Sequence, residues 1–146
     1  MVDRELTQSF LLQLEEKLTL LKKTPVNSLA ELQKDPILQN ATLHLLQTAV
    51  EICLDIANHF IADEGWRSPS SNRDTFQVLF EQEVISEDLL KRCQNMAGFR
   101  NILVHMYEKV NLSDVYAILK KHLGDFEAFA RSVKTYLEKK GTGNKR

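Results

Sequence analysis

Leu46-Gln-Thr-Ala-Val-Glu-Ile-Cys-Leu-Asp-Ile-Ala-Asn-His-Phe60 carries apolar residues at helical spacing on more than one face. Extended in both directions, Leu38, Ala41, Leu45, Ala49, Ile52, Ile56 and Phe60 make one apolar row, and Leu46, Val50, Cys53, Ala57 and Ile61 make a second. A single polar row is left, formed by His44, Gln47, Glu51, Asp55 and Asn58. A helix with so wide an apolar face belongs in the middle of a bundle or against a second chain. Its ends are legible too. Asp35-Pro36 supplies an N-cap and a proline at the first helical position, and after about Asp63 the helix is closed by Gly65.

The flanking segments repeat the helical pattern. Leu6, Phe10, Leu14, Leu18 and Leu21 predict an amphipathic helix over residues 4–23 that Pro25 ends, and a short helix can follow Ser28. Arg67-Ser-Pro-Ser-Ser-Asn72 is a loop, with Ser71 or Asn72 capping a short helix that carries Phe76, Leu79 and Phe80. Ser86, with Glu87 and Asp88 in the first turn, starts the next helix, which the pattern carries through Tyr107. After Asn111 or Ser113 a last helix holds Val115, Ile118, Leu119, Leu123, Phe126, Phe129, Ala130, Val133 and Leu137, with Gly124 as a weak point inside it. No strand alternation competes. The expected fold is an all-α, up-and-down bundle of four to five helices, one domain over residues 1–140 with a flexible basic tail at 141–146.

A chain of 146 residues suffices for one domain that buries roughly 68–70% of its unfolded surface. Cys53 and Cys93 lie far apart among apolar residues and are expected to be buried thiols rather than a disulfide or metal pair. No apolar run approaches the ~18 residues of a membrane span, and Met1-Val-Asp-Arg-Glu lacks a signal-peptide pattern. The chain is therefore expected to be cytoplasmic, with no membrane partner. Net charge is -1, but residues 1–90 carry 7 basic and 15 acidic side chains, whereas residues 91–146 carry 12 and 5. The basic half faces either phosphates, an acidic partner, or the acidic half of its own bundle.

Chemistry concentrates in Arg100-Asn-Ile-Leu-Val-His105-Met-Tyr107. Arg100 falls in a row with Leu89, Cys93, Met96, Leu103 and Tyr107, where the pattern calls for an apolar side chain. A guanidinium there is costly unless it is paired or reaches water or a phosphate, and Glu51 and Asp55 are the candidate partners. Asn101 and His105, four apart, share a face and can hydrogen-bond. Arg100 and His105, five apart, diverge by about 140° on a regular helix. Either the long arginine reaches round, or the helix is distorted, or two chains build one cleft. His44 and His59 are spread over too wide an arc to form a metal set with Glu51 or Asp55. His122 is expected to be solvated, and Trp66 to pack at the helix end beside Gly65.

Arg100-x4-His105-x-Tyr107 resembles the Arg-x(4 to 6)-His core of the HEPN superfamily, in the extended form of the HepT toxins. The helix around Leu46–Phe60, the Pro69–Leu79 segment and the motif follow in the order those proteins show, so the resemblance covers roughly residues 40–137. It implies a HEPN-type bundle that dimerises, and a metal-independent endoribonuclease in which a ribose 2′-hydroxyl attacks the adjacent phosphorus and leaves a cyclic phosphate. His105 would move the proton, Arg100 would hold the phosphate, and Asn101 would orient one or the other. The cleft would form between two subunits. Tyr107 would be the residue on which a MntA-like nucleotidyltransferase antitoxin places AMP to silence the toxin. RNA is the implied substrate; DNA, a metal and a cofactor are not implied. Two alternatives are a noncatalytic HEPN module that binds nucleotide or substrate for a paired nucleotidyltransferase, and a plain helical interaction protein in which Arg100 is only an ion-pair partner.

Overall fold

The structure, a computed structural model, describes residues 1–143, with side chains through Lys140. Helices α1 (Arg4–Lys23), α3 (Pro36–Glu64), α4 (Asn72–Glu81), α5 (Glu87–His105) and α7 (Leu123–Gly143) form the bundle, joined by the six-residue helices α2 (Leu29–Lys34) and α6 (Leu112–Ala117). No strand occurs among the described residues. The expected tail begins inside the last helical turns; its side chains, and residues 144–146 altogether, lie outside the described residues.

Local chemistry sets most boundaries. The Asp3 carboxylate caps α1 at Leu6 N–H, Ser28 caps α2 at Glu31 N–H, and Ser86 caps α5 at Leu89 N–H. Asp35 Oδ1 accepts from both Ile37 and Leu38 ahead of a 29-residue α3, about 43 Å long. Gly65 ends α3 in the left-handed region at φ 68°, where a side chain would be strained. Ser71, not Asn72, caps α4. Asn111 caps α6.

α3 runs through the centre, against α1, α4, α5 and α7. Leu46, Val50, Cys53, Ile56, Ala57 and Phe60 are completely or almost completely enclosed. From Leu46 to Ile61 the bundle itself therefore accounts for the two apolar rows, whereas near the start of α3 Ala41 is exposed and Leu38 and Leu45 are only half-buried. By length and composition α3 could cross a membrane, but 56% of its most apolar stretch is buried inside this domain. Phe76 of α4 meets Phe129 of α7 edge to face at 5.8 Å, and Trp66 packs on Tyr136 at 6.0 Å, at the helix end where it was expected. The α1 face buries Leu14, Leu18 and Leu21 as expected but differs in its first turns, where Thr7 and Leu11 are buried and Leu6 and Phe10 only half-buried.

The last helix departs from regularity at Ile118–His122, which forms a π turn just ahead of Gly124. One extra residue in the turn moves the following face by one position. In a regular helix His122, seven residues after Val115, would share its face; here Leu123 takes the core position, 8% exposed, and His122 faces out.

Both cysteines are free and buried. Burial pushes Cys93 up to about 12, with Asp125 adding to the shift and Arg92 opposing it, and burial likewise raises Cys53. Native protein at pH 8 is therefore expected to show no thiol reactive toward Ellman's reagent, and two after denaturation. Prompt labelling of the folded protein would contradict this packing.

Candidate active site

α5 brings Leu89, Leu90, Cys93, Met96, Ala97 and Leu103 into the core and leaves Arg100, Asn101 and His105 at its outer, C-terminal end. The Arg100 side chain is 22% exposed; its Nη2 donates to Glu51 Oε2 at 3.1 Å and its Nη1 to Asn101 Oδ1 at 3.4 Å. Asn101 Oδ1 also accepts from Asn72 Nδ2 at 3.3 Å. A polar chain Glu51–Arg100–Asn101–Asn72 thus ties α3, α5 and α4 together. Arg100 Nε is buried without a hydrogen-bond partner, so this guanidinium, with five N–H donors, is oriented but far from saturated. Nε is enclosed, but the second N–H groups of Nη1 and Nη2, on a side chain still partly exposed, suit an anion carrying several acceptor oxygens.

Of the two carboxylates considered for Arg100, the structure brings Glu51 and not Asp55, which lies one turn further along α3. Burial raises Asp55 above its ordinary value; His59 opposes the shift and Glu51 adds to it. The expected Asn101–His105 hydrogen bond is not formed, because Asn101 turns its oxygen to Arg100 and Asn72. His105 is exposed and makes no hydrogen bond among the described residues. Asn72 enters the site unannounced: it looks like a helix cap in the sequence, but Ser71 performs that role and frees the Asn72 amide. His59 stacks obliquely on Phe10, ring centres 5.3 Å apart.

Tyr107 is not in the row of Arg100 and Leu103. α5 stops at His105, Met106 leaves helical geometry at φ -137° and ψ 43°, and Tyr107–Lys109 form a 3-10 turn. Neither glycine nor proline marks this end. Tertiary contacts do: the Tyr107 hydroxyl donates to Asn40 Oδ1 on the first turns of α3, while Val110 and Leu112 pack on the core. Tyr107 is 48% exposed, and the apolar side chains of Ile37, Val104 and Met106 are exposed as well. The basic excess of the second half is not absorbed internally. Among the described residues only Arg92–Asp88 and Arg100–Glu51 pair a cation of that half with a carboxylate of the first.

Residues 14–133 match the family described as ribonuclease HepT-like. The chain belongs to that family. The match reaches back into α1, further than the motif's surroundings alone suggest, and encloses Arg100, Asn101, His105 and Tyr107. Among relatives of this HepT-like chain, the mRNA nuclease HepT of Shewanella oneidensis is 36% identical over 72% of this chain and 79% of its own. The tRNA nuclease HepT of Aphanizomenon flos-aquae is 26% identical over 68% and 67%. The HepT-like fold is likewise that of the tri-AMPylated Shewanella oneidensis HEPN toxin solved in complex with MNT antitoxin, with a TM-score of 0.84 and 28% identity over 91% of this chain and 99% of that one.

Proposed function

We propose that this chain is the toxin ribonuclease of a HepT/MntA-type toxin–antitoxin pair, acting in the cytosol as a homodimer without a metal and neutralised by AMPylation of Tyr107. The observation that carries this proposal is the oriented, unsaturated Arg100 guanidinium near the outer end of α5, with an exposed and unengaged His105 closing the same helix. His105 takes the proton of a ribose 2′-hydroxyl, whose oxygen attacks the neighbouring phosphorus. The bond from phosphorus to the 5′-oxygen breaks, that oxygen receives a proton, and a 2′,3′-cyclic phosphate remains. Arg100 holds the non-bridging oxygens and offsets the charge that grows on them. Asn101 fixes the guanidinium rather than the imidazole, a changed role that follows from its observed bonds.

The angular divergence of Arg100 and His105 is resolved by a second copy across a two-fold axis, so that each cleft draws on both protomers. The exposed Ile37, Val104 and Met106 support such a contact, since Tyr107 joins the first turns of α3 to the end of α5 and gathers them at one end of the bundle. The names of the relatives support RNA as substrate, and the HEPN–MNT complex supports a nucleotidyltransferase partner.

The purified protein is expected to cut single-stranded RNA in excess EDTA and to leave cyclic-phosphate ends, read by end-group sequencing. Cleavage that needs added magnesium would overturn the metal-independent chemistry. A complete lack of cleavage under either condition would leave a nucleotide- or substrate-binding module for the paired transferase.

A further inference from the structure

The first two residues of α4 both lie on α5. Asn72 donates to Asn101, and the backbone carbonyl of Arg73 accepts from Gln94 Nε2 at 3.3 Å. The Nη2 end of the Arg73 guanidinium lies against Gly98: a Cβ added there would stand 2.3 Å from Arg73 Nη2 and 3.2 Å from its Cζ. Gln94, Gly98, Asn101 and His105 follow at spacings of four, three and four, which is one face of a helix. Arg73 therefore occupies the same face that ends in His105. Gly98 and His105 are separated along the axis by about 10 Å, so the cation stands beside the reacting phosphate and not on it.

Two features mark Arg73 as more than a solvated charge. Its chain neighbour Asp74 is already taken, in a two-point ion pair with Arg67 at 2.8 Å, and Glu81 serves the same arginine. Among the described residues the Arg73 guanidinium has no hydrogen bond or ion pair. Gly98, in turn, has no positive φ and sits inside a helix, where glycine is unfavourable. A side chain at Gly98 would push the far end of the exposed, flexible Arg73 aside, so the missing Cβ is what lets the guanidinium rest there.

We infer that Arg73, seated on Gly98, is a second phosphate-binding residue of the RNA site, gripping the backbone beside the phosphate that is cut. The inference rests on the ribonuclease reading and adds to it the path of the strand, past the exposed start of α4 towards His105. A planar fork of donors with no carboxylate to satisfy it is well matched to a phosphodiester.

The test uses a mixed-sequence 2′-O-methyl RNA oligonucleotide, which lacks the attacking hydroxyl, with affinity read by fluorescence anisotropy across a salt series. Arg73→Gln is expected to weaken binding about three- to tenfold at physiological salt and to lower the salt slope by about 0.7, the loss of one phosphate contact on a single strand. Gly98→Ala keeps the charge but displaces the guanidinium. It is expected to weaken binding in part, and to add nothing once Arg73 is already Gln. An unchanged slope in Arg73→Gln overturns the inference. Full additivity of the two substitutions overturns the seat on Gly98. A shift from dimer to monomer in Arg73→Gln, seen by sedimentation, with the slope retained, assigns Arg73 to a protein contact instead. Wild-type protein that binds the oligonucleotide through Arg73 yet never cuts ordinary RNA would sink the ribonuclease reading alone. Circular dichroism on both variants separates these outcomes from misfolding.

Discussion

Replacing His105 by alanine is expected to lower RNA cleavage about 10²- to 10⁴-fold, the range lost with a general acid–base group, while melting temperature and helix content stay at wild-type values. The side chain is exposed, closes α5 and carries no hydrogen bond among the described residues, so the fold has little to lose with it. Arg100→Ala behaves differently. It removes the cation from the phosphate and also strands Glu51 and Asn101, so activity and stability both fall. Arg100→Lys restores the charge but not the fork that reaches Glu51 and Asn101 at once, and its activity stays far below wild type. Initial rates on a fluorescent RNA, measured beside thermal melts, distinguish the two kinds of loss. His105→Ala that cuts RNA at the wild-type rate would remove the imidazole from the chemistry. Arg100→Ala that loses stability from a wild type without any nuclease activity would reduce Arg100 to an ion-pair partner.

What the sequence discloses about this molecule depends on how far apart the deciding groups are. Asp35-Pro36, Ser86 and Gly65 act on their own helix ends and are readable as they stand, which is why the central helix and the start of α5 fall where periodicity puts them. Arg100 is equally readable, because a cation in an apolar row demands an explanation. Its partner is not, since Glu51 and Asp55 are one turn apart on the same polar row and only the packing of α5 on α3 chooses between them. The end of α5 is invisible locally: Met106 has no breaking chemistry, and the turn is held by Asn40, 67 positions away from Tyr107. The π turn at Ile118–His122 has a faint signature, a histidine where the heptad-like row wants an apolar residue and a leucine one place later. Asn72 is hidden by a competing and equally good explanation, the helix cap that Ser71 supplies.

Tyr107→Phe is expected to leave RNA cleavage intact and to make it immune to the partner transferase. In wild-type protein produced with that transferase, the tyrosine oxygen is expected to attack the α-phosphorus of ATP, losing its proton as pyrophosphate leaves and an AMP unit remains in a phosphodiester. The oxygen is open to such an attack: the ring is 48% exposed, beyond the end of α5, and among the described residues its hydroxyl is engaged only by the exposed Asn40. A bulky anion attached two residues beyond His105 opposes RNA both by occupying the approach and by repelling phosphate. Phenylalanine gives up one exposed hydrogen bond, a change of about 0.5 kcal/mol or less, so stability does not confound the result. The readouts are intact mass, cleavage rate and growth of cells carrying both genes. Wild-type protein should gain AMP mass and lose cleavage, whereas Tyr107→Phe should keep its mass, its activity and its toxicity. If Tyr107→Phe is silenced as fully as wild type, neutralisation comes from binding the transferase and not from the adduct. If Tyr107→Phe is inactive on its own, the hydroxyl belongs to the cleavage reaction, and the division between an Arg100–His105 cleft and a separate tyrosine switch fails.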